Sequence, residues 1–130
     1  MADYVLYRGE DKLIEVTIKD SAGSAVDLDT LDGIQAYIVD SRKSVLVKFS
    51  LNGESGFETL TKSDAANGKY QIRLQSDRTG NARLETYSIE TKIQRTDAAY
   101  DNSSKMDVAV VDDFIEIKDA SSKGDNDLTA

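Results

Sequence analysis

The sequence predicts an all-β domain, an antiparallel sandwich of two sheets built from seven to nine short strands. Three observations predict it. Apolar residues alternate at period two in one short segment after another. Glycine, Asn, Asp and Ser punctuate the chain roughly every 8–14 residues. No segment carries the 3.6-residue apolar repeat of a long amphipathic helix.

The elements follow in order. Tyr4 to Tyr7 is a short apolar-aromatic strand, and Arg8-Gly9-Glu10-Asp11 is a polar turn. Ile14, Val16 and Ile18 then form an apolar stripe against Leu13, Glu15, Thr17 and Lys19, the mark of a half-buried strand. Ser21 to Ser24 supplies turn chemistry that leads toward Val26 and Leu28. Ile34, Ala36 and Ile38 share one face of the next strand, with Tyr37 and Val39 on the other. After Ser41 to Ser44, the residues Val45, Val47, Phe49 and Leu51 alternate in phase. Asn52-Gly53 is the strongest short turn signal present. Phe57 to Leu60 reads as an edge strand, and Leu60 to Ala66 is open to a single helical turn. Asn67-Gly68 introduces a strand with Tyr70, Ile72 and Leu74 inward. Ser76 to Asn81 is a polar connection, and Thr96 to Lys105 a long polar loop bearing Tyr100. A final strand pair is expected at Asp107 to Val111 and Phe114 to Lys118, with Asp112-Asp113 at the turn.

The segment Leu84 to Ile93 narrows the architecture. Tyr87, Ile89, Thr91 and Ile93 make its apolar face, opposite Ser88, Glu90 and Lys92. Tyr87 stands where the chain enters this strand from a loop. A tyrosine there turns its hydroxyl back onto nearby backbone in immunoglobulin-like sandwiches, as a tyrosine corner. The expected fold is therefore an immunoglobulin-like β-sandwich over residues 1–119, with a flexible acidic tail over 120–130. Its core is expected to hold Val16, Ile18, Ile34, Ile38, Tyr70, Ile72, Leu74, Tyr87, Ile89 and Ile93.

Composition bounds the function. The chain of 130 residues is one ordinary domain, with 24 acidic and 16 basic side chains and a net charge of −8. That charge repels phosphate backbones and anionic membrane surfaces, so neither nucleic acid nor membrane is an expected partner. Histidine, cysteine, tryptophan and proline are absent. Missing histidine and cysteine remove the usual general base and the usual thiol nucleophile. No enzyme activity and no cofactor are expected. No apolar run approaches a membrane span, and the first residues lack the pattern of a secretory signal, so synthesis in a cytoplasm is expected.

Several constellations carry a possible chemistry beside a plainer reading. Asp27, Asp29 and Asp32 resemble the front of a calcium loop, but the third acid comes one residue late and the closing position is Ile38. They are weak calcium candidates against a solvated loop. Arg8-Gly9-Glu10 approximates an integrin-type tripeptide, but a β-turn about Gly9 accounts for it. The acid pairs Asp112/Asp113 and Glu54/Glu58 lack any sign of the cleft that glycoside chemistry needs. Tyr4, Tyr7, Tyr37 and Tyr100 are candidate contact anchors, or rings that bury their faces and wet their hydroxyls.

A set of short motifs adds a resemblance. Tyr7-Arg8-Gly9-Glu10-Asp11, the strand from Leu13 to Lys19 and the run from Asp20 to Leu28 occur in order. Gly68-Lys69-Tyr70-Gln71-Ile72 and Leu84 to Glu90 follow. The pattern, over residues 4–118, resembles the N-terminal domain of phage baseplate upper proteins and related tail and head-fibre proteins. The resemblance implies a non-enzymatic bacteriophage virion protein that docks on capsid or tail subunits, as an auxiliary capsid, head-fibre or baseplate component. It implies other virion proteins as partners, a possible homo-oligomer and a place in the virion. A carbohydrate- or receptor-binding adhesion module and a calcium-dependent sandwich are the rival expectations.

Overall fold

The computed structural model describes residues 3–20, 22–53, 55–80, 82–100 and 104–118. The expected tail, 120–130, lies outside the described residues. The chain is all-β, with nine strands among those residues. They are β1 (Tyr4–Tyr7), β2 (Lys12–Thr17), β3 (Gly33–Val39), β4 (Val45–Ser50), β5 (Glu58–Thr59), β6 (Thr61–Asp64), β7 (Lys69–Leu74), β8 (Thr86–Thr96) and β9 (Ser104–Lys118). Short helical turns occur at Leu28–Thr30, Ala65–Asn67 and Ser76–Thr79.

The strands form a six-stranded sheet, β1-β9-β8-β3-β4-β5, and a three-stranded sheet, β2-β7-β6. One apolar core draws on both. Ile14, Val16, Tyr70, Ile72 and Leu74 come from the smaller sheet, and Ile34, Ile38, Phe49, Tyr87, Ile89 and Ile115 from the larger. All ten residues expected in the core are buried. Period-two alternation places them, because a one-residue slip would turn each stripe to water. The register keeps the stripes opposed: Ile14 pairs with Ile72 and Val16 with Tyr70, while Ile34 pairs with Ile93 and Ile38 with Ile89.

Two tight turns share one design. In Asp20–Ser24 and in Asp40–Ser44 the aspartate Oδ1 accepts two backbone N–H groups, from Ala22 and Ser24 and from Arg42 and Ser44. Each turn needs a left-handed residue. The first uses Gly23 at φ +85°, the second Lys43 at φ +66°.

Two expectations are corrected. The final pair of strands is one strand, β9, that runs through Asp112 and Asp113 without turning. Tyr87 pairs with Ile115 and Ile89 with Val111, so residues 112–114 lie opposite Ser88 alone. The extra residues are absorbed as a bulge, and the ladder with β8 resumes on both sides. Val45 does not join the inward stripe and stays exposed. The register slips between Ile38 and Val39, which takes the end of β4 out of phase with Val47 and Phe49.

Candidate interaction face

The outer face of the six-stranded sheet is made by the residues that alternate with the core stripe. Gln35 and Tyr37 on β3 pair with Lys92 and Glu90 on β8, and Tyr37 also pairs with Lys48 on β4. Phe57, just before β5, completes an aromatic pair with Tyr37, its ring edge-on at 6.0 Å between centroids. Lys92 Nζ lies 5.0 Å from the Tyr37 ring centre and Lys48 Nζ 4.7 Å from that of Phe57. Each ammonium meets the electron-rich face of a ring, an attraction that grows when water is removed. The Tyr37 hydroxyl donates to Gln35 Oε1 at 3.1 Å.

The same face continues onto β9. Glu90, Lys92 and Gln94 pair with Val110, Val108 and Met106. These three apolar side chains are 50%, 55% and 52% exposed. They form a row down one strand, beside a basic and aromatic patch in an acidic chain. The inward residues of this half-strand, Asp107 and Ala109, look into a groove of about 510 Å³ walled by Ile18, Lys19 and Val26. Arg95 Nη2 stands 3.7 Å from Asp107 Oδ2 at its rim.

The residues singled out in the sequence are dispersed. Asp27 Oδ1 accepts the Asp29 N–H and caps the turn at Leu28–Thr30. Asp29 is ion-paired with Lys62 at 2.9 Å. Asp32 Oδ2 accepts from Thr96 Oγ1 at 2.6 Å. The three carboxylates thus serve three different partners, and among the described residues no group of three ligating side chains is placed to hold a metal. Glu58 is paired with Arg78 at 2.8 Å, and Asp112 accepts from Ser88 Oγ. Glu54 lies outside the described residues. Gly9, at φ +86°, makes the Arg8–Glu10 turn, in which the Glu10 side chain accepts the Tyr7 N–H.

The tyrosines divide. Tyr87 is buried, and its hydroxyl donates to the Arg83 carbonyl at 2.9 Å. Burial raises its pKa, against the lowering effect of that backbone hydrogen bond. Tyr4 clips β1 to β2, since its hydroxyl donates to the Glu15 carbonyl and accepts the Glu15 N–H, while its ring meets Phe114 edge-on. Tyr7 and Tyr100 are about half exposed. Glu85 accepts the Ser41 N–H, which holds its carboxyl below the usual range and ties the Asp40–Ser44 turn to the start of β8.

Sequence reading had marked Tyr37 but missed Phe57, the two lysines and the row on β9. The row was visible as Met106-Asp107-Val108-Ala109-Val110. Its outward direction was not, because Ala109 and Val111 on the other face are apolar as well. Chemically the face offers contact: ring edges, two ammonium groups and desolvatable apolar surface. Comparison with family models, with curated proteins and with solved structures finds no match.

Proposed function

We propose that this chain is a non-enzymatic structural module of a bacteriophage virion, an immunoglobulin-like β-sandwich that docks on capsid or tail and baseplate subunits. The observation that carries the docking is the outer face of the six-stranded sheet, where Tyr37 and Phe57 lie between Lys48 and Lys92 and beside the row on β9. Aromatic side chains beside desolvatable apolar surface are the usual centre of a protein–protein contact.

The architecture supports the immunoglobulin-like reading. β2, β7 and β6 correspond in order to strands B, E and D, and β3, β4, β5, β8 and β9 to C, C′, C″, F and G. Tyr87 near the start of β8, bonded to backbone four residues upstream, matches the corner expected on strand F. The virion reading is supported by the motif resemblance. Its glycines Gly9, Gly23 and Gly68 all sit at positive φ, in turns.

The experiment is co-sedimentation of purified protein with virions lacking it. The double change Tyr37→Ala and Phe57→Ala is expected to lower occupancy at least tenfold while the melting temperature falls little. Unchanged occupancy would remove this face from the proposal, and no co-sedimentation of the parent protein would remove the virion.

The half-buried aromatic pair also favours the adhesion reading in part. Against it, one face of each ring is taken by a lysine, and a sugar stacks on an open ring face. A glycan array separates the two readings.

A further inference from the structure

We infer that the amino-terminal half of β9 is the contact through which two copies of this chain join, edge to edge and antiparallel, into one continuous sheet. β9 has β8 on one side from Ser104 to Glu116, apart from the bulge at 112–114. On its other side β1 covers only Ile115 to Lys118. Among the described residues no strand pairs with residues 104–112 on that side. Such an edge presents unpaired N–H and C=O groups and is a template for another strand. A groove lined by Ile18, Lys19 and Val26 lies on the inner side of the same stretch.

The identity of that strand follows from symmetry. The exposed apolar row Met106, Val108, Val110 has its midpoint at Val108. A two-fold axis there pairs the row with its own copy. Val108 then faces Val108 of the second copy, and Met106 faces Val110. On the inward side Asp107 faces Ala109 and Lys105 faces Val111. No like charges stand directly opposite, and apolar meets apolar at every step of the row, the arrangement cross-strand pairing favours. Shifting the axis by one residue to Asp107 sets two aspartates against each other. A shift to Ala109 sets Met106 against Asp112. A closed two-fold contact of this kind uses one patch twice.

Each copy carries a net charge of −8, so the two repel at long range. Added salt screens that repulsion and should strengthen the dimer, the opposite of a contact held by ion pairs.

Sedimentation equilibrium of the full chain, up to about 1 mM, is expected to show a monomer–dimer equilibrium. Raising the salt should tighten it. Val108→Lys puts two ammonium groups on the axis and should weaken association at least tenfold, with the circular dichroism spectrum unchanged because the side chain is exposed. Val108→Cys, in a chain with no other cysteine, should give a disulfide-linked dimer under mild oxidation. Val45→Cys, equally exposed on β4, should not. A monomer at every concentration overturns the inference. So does a dimer that Val108→Lys leaves intact and Val108→Cys fails to link. Amide-exchange protection of residues 106–110 that appears only with a virion partner would give the edge to that partner, and overturns it too.

Discussion

The hydroxyl of Tyr70 on β7 lies 2.7 Å from that of Thr91 on β8, so a hydrogen bond between two buried side chains crosses from the smaller sheet to the larger. Tyr70→Phe leaves the Thr91 hydroxyl without this partner and is expected to cost about 1–2 kcal/mol in a urea melt. Replacing both, with Thr91→Val, should cost less than the sum of the single changes. The pair also sets an alkaline limit. Burial raises the Tyr70 pKa above the value of 10.0 of a free phenol. Below that pH both states keep the proton and stability is unaffected. Above it the unfolded chain ionises first, so stability falls by about 1.4 kcal/mol per pH unit until the folded group titrates too. Melts above pH 10 should show this slope reduced in Tyr70→Phe.

Tyr87→Phe tests the corner at the start of β8. Its ring stays buried, and only the bond to the Arg83 carbonyl is lost. The expected cost is about 1 kcal/mol. A loss below measurement in the urea midpoint would mean the hydroxyl does not restrain the loop.

Gly68→Ala should be among the most damaging small changes. Gly68 has φ +74°, and an added Cβ would stand 2.5 Å from the Ile18 carbonyl oxygen and 3.0 Å from that of Val26. Those are backbone atoms, and the Gly68 carbonyl also accepts the Ile18 N–H at 2.8 Å. The strain plus the clash is expected to cost about 2–4 kcal/mol. Thermal melting checks it.

Lys43→Gly should act in the other direction. Lys43 holds φ +66°, where a side chain costs roughly 1–2 kcal/mol. Glycine removes that cost but adds roughly 0.4–1 kcal/mol of freedom to the unfolded chain. The net effect runs from about zero to a gain of about 1.6 kcal/mol. The sister turn already carries Gly23 at this place. A lower melting temperature would refute the argument.

Calcium should not raise the melting temperature. Asp27, Asp29 and Asp32 are occupied by a backbone cap, Lys62 and Thr96. An ion bound to the folded state must stabilise it, so a rise that grows with calcium concentration would reinstate the site.

The strand stripes and the interior were readable because alternation fixes which face is wet. Ile34 to Val39 and Tyr87 to Ile93 show this. What failed was local geometry. Asp112-Asp113 looks like a turn by residue type, yet β8 and β9 are antiparallel over so many pairs that two acids fit as a bulge. The aromatic patch was hidden for another reason. Phe57 and Tyr37 are 20 residues apart in sequence and meet only because β4 and β5 run parallel.

The pairing of β1 with β9 has a mechanical consequence. The two strands are parallel, with Tyr4 beside Ile115 and Tyr7 beside Lys118. Tension applied through the chain would draw Tyr4 backward and Lys118 forward, along the strand axes. The ladder between them is then loaded in shear, all rungs at once, instead of being peeled one rung at a time. A four-residue clasp, weak by the measure of its size, is set in the orientation that best resists being pulled from its two ends.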